Sequence, residues 1–320
     1  MFVLSVIDVD ASLPFEIIPS HWLRKASEEE ILWLKNKVHP IANSRLAFDP
    51  KYWLPPYEYD LDMVPDEKRG GHTYHRMDLP RERWRYWVVE FECTTRVLNE
   101  PVHRLSDAFL LCSPDVHLGF EFMVSPSGGF SYGENMAHVF NFIREWEQRY
   151  SGTPSMGTLD LQRVATYYDL QCRLPSDFDH IARAFRRFCH LQRVDDDSEM
   201  AIIGLFSIIE SLVTHAPKLS EPADSIGHQM KTKIPLLRRR RLERPLDHVP
   251  MFGTIDEANL WSKLYRYRSK IVHGEDAKLD GELQVLKDWK TVFDFLREAA
   301  KLLLIQSLKE PELLTDLKAC

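Results

Sequence analysis

The stretch "YRYRSKIVHG" (265–274) sets an arginine, Arg268, and a histidine, His273, with four residues between them and just ahead of a glycine. Those side-chain types suit one reaction, the cleavage of RNA by its own 2′-hydroxyl. Attack on the adjacent phosphate needs a proton acceptor at the hydroxyl and a proton donor at the leaving oxygen. Histidine titrates near neutral pH and can do both. As negative charge builds on the phosphorane, arginine stays charged and can clamp phosphate oxygens through two donors. The chemistry requires no metal.

The pattern by itself selects nothing. Arginine followed by histidine after four to six residues occurs seven times, starting at Arg69, Arg96, Arg173, Arg183, Arg241, Arg266 and Arg268. The helix that carries the last pair adds context. On a wheel of about 100° per residue, Trp261, Tyr265, Ser269 and Val272 form one stripe. Arg268 lies about 60° to one side of Tyr265 and His273 about 80° to the other. If the same helix of a second copy covers that stripe, a twofold axis gathers two arginines and two histidines in one cleft. Gly274 is a favoured residue just past a helix end. The same residues also suit a structural reading, in which Arg268 pairs with Glu210 on the apolar helix expected at 197–215 and His273 caps its own helix.

The elements that would position this pair are helices. Helical periodicity predicts segments at 159–174, 177–194, 197–215, 225–242, 255–273 and 281–308. Ile181, Ala184, Phe185, Phe188 and Leu191 share a face of the second, and the third is apolar nearly all round, as a central helix is. The fourth is basic and interrupted by Pro235. The last carries Leu286, Trp289, Phe293, Leu296, Ala300 and Leu303 at heptad-like spacing. These make an all-helical bundle over 159–320. "SGTPSMGT" (151–158) reads as a linker. Residues 1–150 have another texture, rich in Pro, Trp and Tyr with short apolar runs. The opening segment reads as a strand rather than a leader peptide. "RYWVVEFECTTRV" (85–97), "DAFLLCS" (107–113) and "GFEFMVS" (119–125) read as further strands, and 21–38 and 134–150 as helices. The fold class expected is an α+β N-terminal domain followed by an all-α bundle.

Composition narrows the function. The chain has 320 residues and a net charge of −7, so nucleic-acid contact needs a local patch rather than bulk charge. The densest patch is Arg238, Arg239, Arg240 and Arg241, which could follow an RNA backbone or simply be a solvated face. "RERWRYW" (81–87) interleaves arginine with tryptophan as base-stacking surfaces do, though the letters suit a strand better. Five cysteines at irregular spacing, Cys93, Cys112, Cys172, Cys189 and Cys320, argue against a disulfide framework and for a reducing cytoplasm. His72 and His75 are the one tight pair of metal-ligand types, with no second pair at finger-like spacing, so no metal or other cofactor is expected. No apolar run approaches the length of a membrane span. No P-loop, G-x-S-x-G or cysteine–histidine pairing is legible, and an acidic chain without a basic recognition helix gives little support to a DNA-binding regulator.

Residues 177–310 resemble the HEPN superfamily, specifically the Apea-like HEPN domain. "DSEMAIIGLFSIIESLV" with Glu210, a basic helix, "LYRYRSKIVHG" and a long amphipathic C-terminal helix follow one another in matching order and spacing. The resemblance implies a helical bundle that dimerises. In nuclease members it also implies a metal-independent ribonuclease site built from the arginine and histidine of both copies. Many such members are toxins or phage-defence effectors. Arg268 and His273 fall on the matching positions. Glu210 falls on an acidic position common in the Apea-like group, which implies that it orients Arg268. Ser269 stands where active members commonly carry Asn, Asp or His; it keeps a hydroxyl but departs from that pattern. Other members bind nucleotides or act as interaction modules. The resemblance therefore implies either a ribonuclease whose N-terminal domain senses a trigger or selects substrate, or a non-catalytic helical module.

Overall fold

The computed structural model describes residues 1–45, 57–66, 71–92, 100–124, 130–132, 153–217, 225–240 and 242–320. It divides into two compact units, Met1–Tyr168 and Asp169–Cys320. The first is a small sheet region with helices and the second is mostly helical. Among the described residues no helix is long and apolar enough to cross a membrane. The expected helix at 134–150, the end of the expected strand at 93–97, and Arg241 lie outside the described residues.

In the N-terminal unit, strands β1 (Phe2–Val3), β2 (Asp8–Asp10), β3 (Phe15–Ile18) and β4 (His21–Lys25) precede helix α1 (Glu28–Arg45). After them come β5 (Tyr59–Asp66), β6 (Gly71–Asp78), β7 (Trp87–Phe91), α2 (Glu100–Leu110), β8 (Leu118–Gly119), β9 (Phe122–Val124) and β10 (Phe130–Tyr132). The main sheet runs β3-β4-β7-β1-β8, while β5 with β6 and β9 with β10 form separate antiparallel pairs. Phe2, Leu4, Val88 and Tyr86 of the sheet region meet Leu34 of α1 in one apolar cluster.

Two sequence readings are corrected here. The helix expected at 21–38 begins only at Glu28, because His21–Lys25 pair with β3 and β7 on either side. Its start is marked by a reciprocal cap: Glu30 N–H donates to Ser27 Oγ at 3.2 Å, and Ser27 N–H to Glu30 Oε2 at 2.7 Å. "DAFLLCS" is no strand but the last turn of α2 and the turn after it; Val102, Leu105, Ala108 and Phe109 bury one helical face. Within the stretch read as a linker, Ser155–Gly157 form strand β11, parallel to β2. Helix α3 (Thr158–Arg173) follows, and the division between units falls inside it.

The C-terminal unit comprises α4 (Asp179–Leu191), α5 (Glu199–Val213), α6 (Ile226–Arg240), the short α7 (Val249–Phe252), α8 (Glu257–Val272), α9 (Trp289–Lys309) and α10 (Pro311–Ala319). Helix α5 is the hub, packed against α4, α6, α8, α9 and α10. Its residues explain this, for Ala201 and Ile208 widen the buried stripe of Ile202, Leu205, Phe206, Ile209 and Leu212. Pro235 lies inside α6 without ending it. The single helix expected over 281–308 is broken. Gly281–Leu286 form a 3₁₀ turn, Lys287 takes a positive φ of 62°, and α9 starts after Asp288, whose Oδ1 accepts from Thr291 N–H at 2.8 Å.

Candidate functional site at the end of helix α8

Helix α8 is built to hold its register. Asp256 caps its start, with Oδ2 accepting from Asn259 N–H at 3.1 Å. Leu260, Trp261, Leu264, Tyr267 and Ile271 bury one face in the bundle. His273 is the C-cap residue, its N–H donating to Ser269 O at 3.0 Å, and Gly274 follows with φ of 68°, a conformation that strains any residue with a Cβ.

That burial corrects the stripe read from the sequence. Trp261 belongs to the protein's own core, and Val272 is 45% exposed. Tyr265 leans on α6: a Cβ at Gly227 would lie 3.0 Å from its ring, so the glycine makes room for it. The core face is thus rotated toward Leu264 and Tyr267. Arg268 sits at its margin, Ser269 is half-buried, and His273 stands exposed. Among the described residues the Arg268 side chain hydrogen-bonds to Glu210, and no hydrogen bond joins it to His273.

Arg268 reaches Glu210 of α5, Nη2 to Oε2 at 3.4 Å, with side chains 23% and 15% exposed. The contact is long for a charged hydrogen bond. Among the described residues, Glu210 Oε1 and Arg268 Nε are both buried without a hydrogen-bond partner. Burial pushes the Glu210 carboxyl above its ordinary range, and Arg268 pulls it partly back. The Arg268 guanidinium lies 5.7 Å from the Tyr265 ring centroid. Burial first, then the charge of Glu210, raises the phenol of Tyr265. Tyr265 is therefore a member of this cluster that the sequence reading used only as packing. Its place three residues before Arg268 was the available signal.

No family model, curated protein or solved structure matches this chain. The site therefore rests on its own geometry.

The other arginines fare differently. Arg266, which also precedes His273 within the motif spacing, pairs with Glu282 on the exposed face. Arg238, expected to contact RNA, forms an ion pair at 2.9 Å with Glu257, which is 8% exposed, and its Nη1 points to Leu246 O at 3.4 Å. It is committed to the fold. Arg239 is exposed; nothing is described of the Arg240 side chain. In "RERWRYW", Arg85, Tyr86 and Trp87 are buried and Trp84 is half-buried against the apolar cluster. Among the described residues no group of three or more His, Cys, Asp or Glu side chains could hold a metal ion.

Proposed function

We propose that the protein is a metal-independent endoribonuclease of HEPN type. Its site would be completed by dimerisation through the helical unit, with the N-terminal unit receiving a trigger or selecting substrate. One observation carries the reading. Arg268 is drawn in at the margin of the core yet held by one long contact, on a helix whose end presents an exposed histidine. A guanidinium with donors in reserve can turn to a phosphate at little expense, whereas one locked by several short bonds cannot.

In this reading the histidine of one protomer accepts the 2′-hydroxyl proton as the 2′-oxygen bonds to phosphorus. The bond from phosphorus to the 5′-oxygen breaks, and the partner's histidine protonates that oxygen. Arg268 neutralises the phosphorane between these steps. Glu210 holds Arg268 in its waiting orientation. The products are a 2′,3′-cyclic phosphate and a 5′-hydroxyl. The second reading, a non-catalytic helical module, is favoured by the same Arg268–Glu210 contact taken as a plain tie between α8 and α5, with His273 only a cap.

Cleavage of RNA by the purified protein in EDTA separates them. The ribonuclease reading expects cyclic phosphate ends from the wild type and none from Arg268→Ala or His273→Ala. Because the one cleft uses the histidines of both protomers, a mixture of the two variants should stay inactive as well. Equal cleavage by all three proteins removes these residues from the mechanism.

A further inference from the structure

Helix α4 carries a second concentration of positive charge that the site at α8 does not use. Its apolar side, Ile181, Ala184, Phe185 and Phe188, is buried. Its outer side presents Arg183, Arg186, Arg187 and His190, with Arg193 in the turn just past its end, all exposed. At about 100° per residue the four on the helix fall within a sector of about 100°, and they extend about 10 Å along the axis. Among the described residues one carboxylate answers them: Asp179 pairs with Arg183 and, at 3.7 Å, with Arg186. Arg187, His190 and Arg193 make no ion pair among the described residues. Lys318 of α10 adds its charge at the N-terminal end of the stripe. There, burial first and then neighbouring cations lower both His180, beside Lys318 and Arg183, and Lys318, beside Arg183. Beyond Arg193 the turn is acidic, and Asp195 is occupied in part by the N–H of Asp197. The stripe therefore has an end.

We propose that this face of α4 binds the phosphate backbone of RNA without reading its sequence. Four cations of the stripe are arginines, whose planar forks match phosphate oxygens, and residues three and four apart stand at neighbouring places along a strand. No aromatic side chain is exposed among them to stack on bases. A membrane surface fits less well, because the apolar side of α4 is already spent in the bundle and nothing is left to insert. The proposal rests on the ribonuclease reading for its choice of polyanion. It moves the substrate contact away from residues 238–241, where Arg238 is tied to Glu257. Helix α4 packs on α5 and α9, and α8 on α5 and α6, so the stripe holds the strand rather than the reacting phosphate.

The test is a binding titration of the full chain with a labelled 2′-O-methyl RNA, which 2′-hydroxyl attack cannot cleave, at several salt concentrations. Replacing Arg183, Arg186 and Arg187 together by glutamine should weaken binding about tenfold or more. It should also make the log–log salt slope shallower by about 2, at roughly 0.7 per lost phosphate contact. The same three positions replaced by lysine should keep the slope, which separates lost charge from lost fold. With cleavable RNA, the glutamine variant should raise KM and leave kcat unchanged. Wild type that does not bind the RNA, or a glutamine variant with unchanged affinity and slope, overturns the proposal. A wild type that binds through α4 but cleaves nothing sustains this proposal and favours the non-catalytic reading of the site at α8.

Discussion

Arg85 in the N-terminal unit and Arg268 in the C-terminal unit are both withdrawn from solvent, and their partners differ. Arg85 is 2% exposed, with Nε on Asp8 Oδ1 at 2.9 Å, Nη2 on Asp60 Oδ1 at 2.6 Å and Nη1 on Tyr59 O at 3.2 Å. It ties β2 to β5, and each face of its fork is used. Among the described residues Arg268 has one polar contact, of 3.4 Å, and a buried Nε that, like that of Arg238, has no hydrogen-bond partner. A saturated buried arginine is a structural group, because removing it strands its carboxylates. An arginine with bonds left unmade is stabilised by whatever anion completes them, and so is available to a ligand.

This comparison can be broken. The largest stability effect should come from Arg85→Ala, about 3 kcal/mol in urea unfolding of the N-terminal unit. A loss below about 1 kcal/mol would show that the saturated network contributes little. Arg238→Ala should follow at about 2 kcal/mol, since it leaves Glu257 buried with its carboxyl already raised by burial. It should leave RNA affinity nearly unchanged, whereas a large fall in affinity with no change in stability would return residue 238 to the RNA surface. Gly274→Ala should cost about 1 kcal/mol, from the backbone alone, because no atom lies within 4 Å of the added Cβ.

The smallest effect is a pH dependence. The Glu210 carboxyl is raised in the folded state, so the folded protein holds that proton more tightly than the unfolded chain. Its contribution is fully present below the ordinary value of 4.5 and is lost as pH rises through the raised value. Wild-type stability measured relative to Glu210→Gln should therefore fall as pH rises from about 4 towards neutrality. A difference that grows with pH would mean that Arg268 outweighs the desolvation of the carboxylate.

The parts of the fold that were legible in the sequence were long and periodic. The apolar α5, the buried face of α4, and the limits of α8 between Asp256 and Gly274 follow from local pattern and capping. What escaped depended on neighbours distant in sequence. His21–Lys25 look helical beside a strong helix, and only pairing on both sides makes them a strand. The last turn of α2 looks like a strand when seen without the turns before it. In α8 the wheel was right in spacing and wrong in rotation, because Gly227 opens a place for Tyr265 on α6 that no local signal announces. The candidate pair Arg268 and Glu210 was readable as types. The length of its contact and its unmade bonds were not, nor was the ion pair that withdraws Arg238 from the basic run.

The central claim is that Arg268 is held in reserve rather than built in. The direct measurement is Arg268→Ala assayed in parallel for RNA cleavage in EDTA and for urea unfolding. The account predicts a loss of about a thousandfold or more in cleavage with a stability change within about 1 kcal/mol. Cleavage that persists, or an unfolding loss as large as that of Arg85→Ala, would contradict it.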